Sequence, residues 1–310
     1  MSDLPILVTG AGGFVCSEVA ATLAKAGRHV IATDRHFDAR TVARLRGVER
    51  IEGPLTEMFV GMSGRCLSAV IHGAATTASP EALGISRAAH LRGNIDPLAL
   101  ALDFARSAGA GKFLFISSMG VFVPDDGPAP GGRFTEATVP TANCAYCAAK
   151  RAGEILTEAA AEPGFETLSL RLGNTCGPEE ASRPTRQILS RLRRMIDGAE
   201  GRGVIELTSP EAHREWAWLP DLARGIAALL EAPFGPRPVL HAGSPPSIRD
   251  LDLARAVAER RPGTDIRIAS PEEPTRPPMG TDADDGPFAT LDWTPIAQIL
   301  DRLIPAEALS

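Results

Sequence analysis

Two residues within positions 145–154 have types and spacing suited to acid–base chemistry. Tyr146 is the only tyrosine among 310 residues, and Lys150 follows it by four positions. On a helix, residues four apart lie on the same face, about one turn from each other. The nearby ammonium would favour the phenolate, which predicts a tyrosine pKa below its usual value of about 10 and a base near neutral pH. This spacing also occurs by chance, so the interpretation depends on the rest of the chain.

A glycine-rich turn follows the first predicted strand. Residues 4–9 form an apolar run without polar alternation, which is typical of a strand buried on both faces of a parallel sheet. Gly10, Gly12 and Gly13 come next, and a helical stretch then extends to Lys25. A strand, a glycine turn and a helix N-terminus place backbone N–H groups where a pyrophosphate can bind. The sequence therefore predicts a dinucleotide site here.

An acidic residue ends the second predicted strand. Asp34 follows Gly10 by 24 residues, the approximate spacing at which an acid binds the adenosine ribose hydroxyls of a dinucleotide. Its carboxylate would repel a 2′-phosphate, so the pattern favours NAD over NADP. The adjacent Arg35 keeps NADP open as an alternative, although it could also be a solvated loop charge.

Strands and helices alternate through the first half of the chain. This order predicts an α/β protein with a Rossmann-type doubly wound parallel sheet and a smaller C-terminal substrate-binding cap. After Gly173 the pattern changes, and a helix at 221–231 with a strand at 239–241 indicates a return to the sheet. We assign residues 1–172 and 212–243 to the NAD-binding domain, and residues 173–211 and 244–310 to the cap.

Composition and charge restrict the class of protein. The net charge of −6 argues against a nucleic-acid or anionic-membrane surface. The densest basic run, residues 183–194, is predicted to be an amphipathic helix with a solvated basic face, with anion binding as the alternative. No apolar run approaches the roughly 20 residues of a membrane span, and the N-terminus lacks the features of a signal peptide. Five scattered cysteines suit a reducing compartment, so we predict a cytoplasmic protein.

Cys144 and Cys147 bracket Tyr146 in a C-x-x-C arrangement. A structural zinc site would need a second cysteine pair, and a thioredoxin-like redox site would need a strand just upstream. We therefore interpret both cysteines as small residues that fill space near the start of the catalytic helix.

Taken together, these residues resemble the extended short-chain dehydrogenase/reductases and, more closely, the NAD-dependent epimerase/dehydratase family. The resemblance covers nearly the whole chain, and its motifs occur in order. In the first half of the chain, TGAGGFVC at 9–16 resembles T-G-x-x-G-F-x-G, HGAA at 72–75 resembles H-x-A-A, and Asn94 matches the asparagine of N-x-x-G-T. Around the predicted catalytic residues, SMGVF at 118–122 resembles S-x-x-V-Y, and Tyr146 with Lys150 matches Y-x-x-x-K. Further along, RLGNTCGP at 171–178 resembles R-x-x-N-x-Y-G-P, residues 214–221 resemble R-D-F-x-x-V-x-D, and LDWTP at 291–295 resembles L-G-W-x-P.

The resemblance implies a role for each residue of the catalytic trio. Tyr146 is the implied general acid/base, and Ser118 holds the substrate hydroxyl or carbonyl oxygen. Lys150 binds the nicotinamide ribose and lowers the tyrosine pKa. A hydride passes between a substrate carbon and NAD, so no metal is required. Cofactor contacts are further implied for Gly10, Gly13, Phe14, Val15, Asp34, Arg35, Leu55, Gly73, Ala74, Ala75, Asn94 and Ser117, and substrate contacts for Ser118, Asn174 and Arg214.

Two arginines bear on the substrate. Arg214 stands where sugar-nucleotide enzymes of the family place an arginine on the diphosphate, and Arg276 is a candidate for a second one in a poor copy of the family's R-x-G-D. The planar guanidinium suits phosphate. Structural salt bridges are the alternative for both residues. By family analogy, the partners are a small-molecule substrate, a sugar derivative, and a second copy of the chain in a homodimer.

The chain departs from the family pattern at several positions. Cys16 replaces the third glycine of the glycine turn, which predicts a slightly remodelled pyrophosphate turn. Pro54 stands where members often have an adenine-binding aspartate, and Cys176 replaces the tyrosine of N-x-Y-G-P.

The residues after Ser118 bear on the reaction. Family dehydratases and decarboxylases carry Asp or Glu in the two positions after this serine, where Met119 and Gly120 stand here. Neither can transfer a proton, which leaves oxidation or epimerisation. We favour a dehydrogenase acting on a secondary alcohol of a sugar or related hydroxy compound. The alternative is a nucleotide-sugar 4-epimerase that recycles bound NAD, and a non-catalytic NAD sensor is disfavoured because it would not need Ser118, Tyr146 and Lys150 together.

Overall fold

A computed structural model describes residues 4–122, 134–178, 191–201, 203–244, 246–269 and 287–304. Thirteen strands and ten helices are found within these residues. The strands are β1 (Ile6–Thr9), β2 (Val30–Asp34), β3 (Glu49–Glu52), β4 (Ala69–His72), β5 (Lys112–Ser118), β6 (Glu166–Leu172), β7 (Asn174–Cys176), β8 (Val204–Leu207), β9 (His213–Arg214), β10 (Trp216–Trp218), β11 (Val239–Ala242), β12 (Ile248–Arg249) and β13 (Asp265–Ile268). The helices are α1 (Phe14–Lys25), α2 (Ala39–Arg44), α3 (Leu55–Gly61), α4 (Pro80–Leu83), α5 (Arg87–Ser107), α6 (Ala145–Ala159), α7 (Arg191–Gly201), α8 (Leu219–Glu231), α9 (Asp250–Glu259) and α10 (Ile296–Leu303).

Seven strands form one parallel sheet in the order β11-β6-β5-β4-β1-β2-β3. This is the predicted doubly wound arrangement, and the return of the chain to the sheet at β11 is confirmed. The register places Thr33 of β2 and His72 of β4 opposite Thr9 of β1. The strand order reverses beside β1, and ligands of such sheets bind outside the carboxyl ends of the strands at this switch point.

Helices cover both faces of the sheet. Ile6 and Val8 of β1 point into one apolar layer, which also contains residues of α1 and α8. Leu7 points into the opposite layer, which contains residues of α3 and α5. Successive side chains of a strand alternate between its faces, so a strand buried on both sides must be apolar at every position. This explains the unbroken apolar run at the start of the sequence.

Two helices, α4 and α5, follow one another after β4. Gly84 ends α4 with a φ of 66°, a left-handed conformation that glycine adopts without steric cost. Ser86 then caps the N-terminus of α5 by accepting a hydrogen bond from the backbone N–H of Ala89. Helix α6, which carries Tyr146 and Lys150, ends at Ala159.

The part of the chain after β6 contains a further apolar cluster. Three two-stranded pairings, β7 with β10, β9 with β12 and β8 with β13, occur in this part of the chain. Trp216 and Trp218 pack there against residues of α7, α9 and α10. The division into two domains at the predicted residue boundaries stays a prediction. None of the described helices is both long and apolar enough to cross a membrane.

Candidate active site

The glycine turn lies where the backbone leaves no room for side chains. Gly10 has a φ of 72°, and a Cβ atom there would lie 2.5 Å from the backbone N of Ala74. A Cβ on Gly12 would overlap the carbonyl oxygen of His36. Gly13 is the N-cap of α1, and no side chain among the described residues caps this helix. The first-turn N–H groups are therefore presented to the cleft, as a pyrophosphate site requires.

Cys16 fits at the third glycine position because its neighbour is a glycine. The Cys16 side chain is buried, and a Cβ on Gly73 would overlap its Sγ. Burial raises the pKa of the Cys16 thiol to about 12, so the sulfur stays protonated at neutral pH. The family pattern has glycine at position 16. The Cys16 side chain fits here because Gly73 has no side chain to occupy the same space.

The carboxylate of Asp34 is fixed at the end of β2. Its Oδ2 accepts a hydrogen bond from the backbone N–H of Gly12 at 2.8 Å, and its Oδ1 accepts one from Arg35 N–H at 2.6 Å. Asp34 and the exposed Arg35 both line the cleft, and so does Arg40 at the start of α2. The acid is therefore held at the rim where a ribose would bind, with two arginines close by in sequence.

Asn94 holds a loop in place behind the cleft. Its Oδ1 accepts a hydrogen bond from Thr76 N–H at 2.9 Å, and its Nδ2 donates to the carbonyl oxygen of His90 at 2.9 Å. These bonds tie α5 to the segment after β4, where Gly73, Ala74 and Ala75 line the cleft. Asn94 is not among the residues that line it, so its predicted contact with the cofactor stays a prediction.

The three residues predicted to be catalytic meet at the end of β5. Tyr146 lies on the first turn of α6, and its side chain is hydrogen-bonded to that of Ser118. The Oγ of Ser118 also accepts a hydrogen bond from Gly120 N–H at 3.0 Å. Lys150, buried one turn further along α6, donates from Nζ to the carbonyl oxygen of Ile116 at 2.6 Å, and Nζ lies 5.8 Å from the centroid of the Tyr146 ring.

Burial shifts the proton affinity of both catalytic groups. It raises the pKa of Tyr146 above its usual value, and the hydrogen bond with Ser118 lowers it by a smaller amount. The prediction that the pKa of Tyr146 lies below its usual value is therefore wrong for the protein without a bound ligand. Burial also lowers the pKa of Lys150 from 10.5 to about 8, against the opposing influence of Cys16 and Glu154. Removal from water disfavours the charged form of each group, and this effect dominates here.

A close helix–strand contact positions the catalytic helix. A Cβ on Gly153 of α6 would lie 2.6 Å from Cε1 of Phe115 on β5 and 3.0 Å from Cδ2 of Leu98 on α5. Only glycine permits this approach, which brings Lys150 within reach of the backbone of β5.

A buried ion pair lies beneath the trio. Arg171 of β6 donates from Nε and from one terminal nitrogen to the two carboxylate oxygens of Glu154, both at 2.8 Å. Ser117 donates from Oγ to the same carboxylate at 2.7 Å. Burial alone would raise the pKa of Glu154, but the hydrogen bonds and charge of Arg171, with the bonds from Ser117 and Arg151, give a net lowering. The pair locks α6 to β5 and β6.

The predicted substrate residues fall in two places. Asn174 lines the cleft with Gly173 and Thr175 after β6. Arg214 is buried on β9 and does not line the cleft. Its Nε donates to both carboxylate oxygens of Asp250 at 3.1 Å, and Asp250 itself is fully buried. The observed contacts of Arg214 are therefore those of a structural salt bridge, the alternative given for this residue. Arg276 and residues 183–190 lie outside the described residues.

One cleft of about 1240 Å³ gathers most of the predicted residues. Only Asn94 and Arg214 of the predicted set are missing from its lining. The cleft also contains residues that were not predicted to bind a ligand, among them Arg40, Thr76 and Thr77. Residues 93, 96, 97 and 100 of α5 line it as well, and their helical spacing was the sequence signal that could have indicated them.

The interpretation of Cys144 and Cys147 as separate space-filling residues is wrong. The two cysteines form a disulfide, with their Cα atoms 5.1 Å apart. The pair begins the catalytic helix, with Cys144 as the N-cap of α6. An i to i+3 spacing at a helix start allows the two side chains to meet without an upstream strand, which the sequence argument had required.

The cleft fits a dinucleotide. The glycine turn excludes Cβ atoms, the start of α1 presents N–H groups, Asp34 ends β2, and Tyr146 and Lys150 lie at the opposite end beside Ser118. A doubly wound sheet that carries these features defines an oxidoreductase of the short-chain dehydrogenase/reductase class. The chain belongs to the NAD dependent epimerase/dehydratase family, whose model matches residues 6–240.

Relatives of known activity share most of the chain length. The chain is 27% identical over 323 residues to a dTDP-glucose 4,6-dehydratase of Streptomyces niveus, covering 93% of this chain and 92% of that protein. It is 30% identical over 195 residues to a UDP-glucose 4-epimerase of Erwinia amylovora, covering 57% and 55%. The solved UDP-glucose 4-epimerase of Thermotoga maritima superposes with a TM-score of 0.80 at 20% identity, covering 98% of this chain and 97% of that one, which supports the fold.

Proposed function

We propose that the protein transfers a hydride between NAD and the carbon of a secondary alcohol in a sugar derivative, with Tyr146 as general acid/base. The observation that carries this proposal is the meeting of Ser118, Tyr146 and Lys150 inside the cleft that the glycine turn and Asp34 also line. Bound NAD would supply the hydride acceptor. The protein would supply binding, orientation and the proton transfer.

Tyr146 and Ser118 would handle the substrate oxygen. Ser118 Oγ is fixed by the N–H of Gly120, and its side chain is hydrogen-bonded to that of Tyr146. A substrate hydroxyl that enters between them would donate its proton to the phenolate and accept a hydrogen bond from Ser118. A positioned base of this kind contributes roughly 10²- to 10⁴-fold to a rate.

Lys150 would hold the nicotinamide ribose and promote ionisation of the tyrosine. Its pKa of about 8 leaves most of the amine protonated at neutral pH, despite burial. The ammonium is fixed to the carbonyl oxygen of Ile116, one residue before Ser117 and two before Ser118. In this position it can bond a ribose hydroxyl and add positive charge near the phenol.

The residues after Ser118 argue against elimination and decarboxylation. Met119 is buried and Gly120 has no side chain, so neither can act as the second acid or base that those reactions need. This leaves simple oxidation or epimerisation, and of the two we propose net oxidation or reduction. The relatives named as a dTDP-glucose 4,6-dehydratase and as a UDP-glucose 4-epimerase show that one family scaffold accommodates different outcomes.

Epimerisation is the second candidate. It is favoured by the match to a UDP-glucose 4-epimerase, which is 30% identical over its matched length. An epimerase must hold the substrate anchor while the oxidised ring turns over. The arginine expected to do so, Arg214, is engaged with the buried Asp250, and this observation favours the dehydrogenase.

The finer assignments rest on separate arguments. We propose NAD over NADP because of the carboxylate of Asp34. A homodimer through helices beside the sheet is proposed by family analogy, supported by Ile155 and Leu156 on α6, which are 53% and 36% exposed. Analytical ultracentrifugation tests that assignment. A cytoplasmic location is proposed from the composition of the chain.

A substrate screen distinguishes the two candidate reactions. Sugars, sugar acids and nucleotide sugars are incubated with the protein and NAD, and the NADH absorbance band is followed. Stoichiometric NADH formation supports the dehydrogenase. Conversion of a nucleotide sugar to its epimer without NADH release would contradict it. The Tyr146→Phe variant, which retains the ring, serves as the matched blank in both cases.

A further inference from the structure

The disulfide between Cys144 and Cys147 surrounds the proposed acid/base residue. Cys144 is exposed, whereas Cys147 is 8% exposed, so an incoming reagent can reach one sulfur far better than the other. Tyr146 lies between the two bridged positions. The first turn of α6 therefore connects the disulfide to the phenol of Tyr146.

The position of the pair also favours thiol chemistry. Cys144 is the N-cap of the 15-residue helix α6, and its Sγ accepts a hydrogen bond from the backbone N–H of Cys147 at 3.0 Å. Backbone N–H groups at a helix N-terminus stabilise a thiolate, which lowers a cysteine pKa and makes the sulfur a good nucleophile and leaving group.

The bridge closes a very short loop. Its two cysteines are three residues apart in sequence. Loop-closure entropy grows with loop length, so a disulfide across so few residues stabilises the folded chain little. Exposed disulfides are labile, in contrast to structural disulfides that resist cellular thiols.

We propose that Cys144 and Cys147 form a reversible redox site that exchanges with low-molecular-weight monothiols of the glutathione class, and that the state of this pair sets the position of Tyr146. The first half of the proposal is independent of the proposed enzymatic function. The second half rests on Tyr146 being the sole tyrosine, which makes its state measurable without a substrate.

The exchange balances in two steps. A monothiolate attacks Sγ of the exposed Cys144, the bond between the two protein sulfurs breaks, and Cys147 leaves as a thiolate that takes up a proton. A second monothiolate attacks the mixed disulfide on its own sulfur, releases Cys144 and forms a small-molecule disulfide. Two electrons and two protons pass from two monothiols to the two cysteines, and the reverse sequence oxidises the pair.

Reduction would loosen the segment that leads into the catalytic helix. Ala142, two residues before Cys144, has a φ of 52°, and it is the one non-glycine residue with positive φ in the described parts of the chain. Its N–H donates to the carbonyl oxygen of Val121 at 3.1 Å. An alanine in the left-handed region is strained, because its Cβ lies too close to the following carbonyl oxygen. Without the bridge, Cys144 and Ala142 are free to relax, and the first turn of α6 that carries Tyr146 is held by fewer constraints.

The redox site is tested on the full chain with Cys66→Ser, which removes the exposed free thiol. The folded protein is equilibrated in mixtures of reduced and oxidised glutathione, trapped by alkylation and measured by mass spectrometry. We expect Cys144 and Cys147 to change together and reversibly, with a midpoint inside the range of the mixtures. A pair that stays bonded in the most reducing mixture, or that stays free or carries glutathione in the most oxidising one, would overturn the proposal.

The coupling to Tyr146 is tested by spectroscopic titration. The tyrosinate absorbance band is followed against pH in the oxidised protein, the reduced protein and the Cys144→Ser/Cys147→Ser variant. Because burial raises the pKa of Tyr146, a loosened first turn should let in water and lower it by about half a unit or more in the last two samples alike. Identical titration curves in all three samples would overturn the coupling even if the redox site itself exists, and loss of the fold is excluded by matching circular dichroism spectra.

Discussion

The sulfur of Cys16 occupies the space that a side chain on Gly73 would need. Cys16 lies on α1 in the pyrophosphate turn, and Gly73 directly follows β4. The pair replaces the usual arrangement of the family, in which the glycine stands on the helix. The residue types at the two positions are therefore coupled, although they lie 57 positions apart in sequence.

This coupling predicts a reciprocal rescue. Gly73→Ala should destabilise the protein by about 1 to 3 kcal/mol and weaken NAD binding, because the new methyl group overlaps the Cys16 sulfur. The double variant Cys16→Gly/Gly73→Ala should recover most of that loss, apart from roughly 1 kcal/mol for glycine inside a helix. Denaturant unfolding of the two single variants and the double variant gives the interaction energy. If the change in unfolding free energy of the double variant equals the sum of the changes in the two single variants, positions 16 and 73 are not coupled.

Lys150 predicts a specific dependence of stability on pH. Its pKa is lowered in the folded state from 10.5 to about 8, so the unfolded chain binds more protons at this group between those two values. Its contribution to stability is therefore smallest below pH 8 and rises with pH through this window, by about 3 kcal/mol in total.

Lys150→Met should remove that rise. Lys25→Met, which alters an exposed lysine on α1, is the control and should keep it. The free energy of unfolding of each variant is measured by urea titration between pH 7 and pH 10. Parallel profiles of unfolding free energy against pH for Lys150→Met and Lys25→Met would show that the pKa of the buried amine is not lowered in the folded state.

The Glu154–Arg171 pair predicts a large effect on stability. Glu154→Gln leaves the buried Arg171 without a full countercharge, which should cost about 3 kcal/mol. Glu158→Gln, on the exposed side of the same helix, should change stability by less than about 0.5 kcal/mol. Because the folded-state pKa of Glu154 is lowered, its contribution is present above the usual carboxyl pKa and is lost as the pH falls through the folded-state value. The variant should therefore show a flatter loss of stability in acid than the wild type.

The cofactor preference depends on Asp34. NAD should bind more tightly than NADP, because the carboxylate repels a 2′-phosphate. Asp34→Asn should weaken NAD binding and reduce the difference in binding affinity between NAD and NADP. Calorimetric titration measures both affinities, and Asp103→Asn on the exposed side of α5 is the control. Tighter binding of NADP by the wild-type protein would mean that Arg35 and Arg40 dominate the site.

The sequence predicted the sheet and most of the cleft because those features are local. The apolar run at β1, the glycine turn and the Y-x-x-x-K spacing each depend on residues close together in the chain. Features that depend on distant contacts could not be predicted in the same way. The raised pKa of Tyr146 follows from burial by residues outside its helix, and the accommodation of Cys16 requires Gly73.

The same reasoning explains the two predicted residues that are absent from the cleft. Asn94 was placed by its motif, but its side-chain amide reaches backward to Thr76 and His90. Arg214 was assigned to a diphosphate, yet the fully buried Asp250, 36 residues later, accepts its hydrogen bonds. A motif identifies the residue type at a position, whereas the direction of its side chain depends on partners elsewhere in the chain.

The central claim is that Tyr146 transfers the proton, and Tyr146→Phe tests it most directly. Once the substrate screen has provided an assay, kcat and NAD affinity of this variant are measured beside the wild type. We expect kcat to fall by about 10²-fold or more with NAD affinity unchanged, because the ring remains and only the hydroxyl is lost. A kcat close to that of the wild type would contradict the assignment of Tyr146 as the general acid/base.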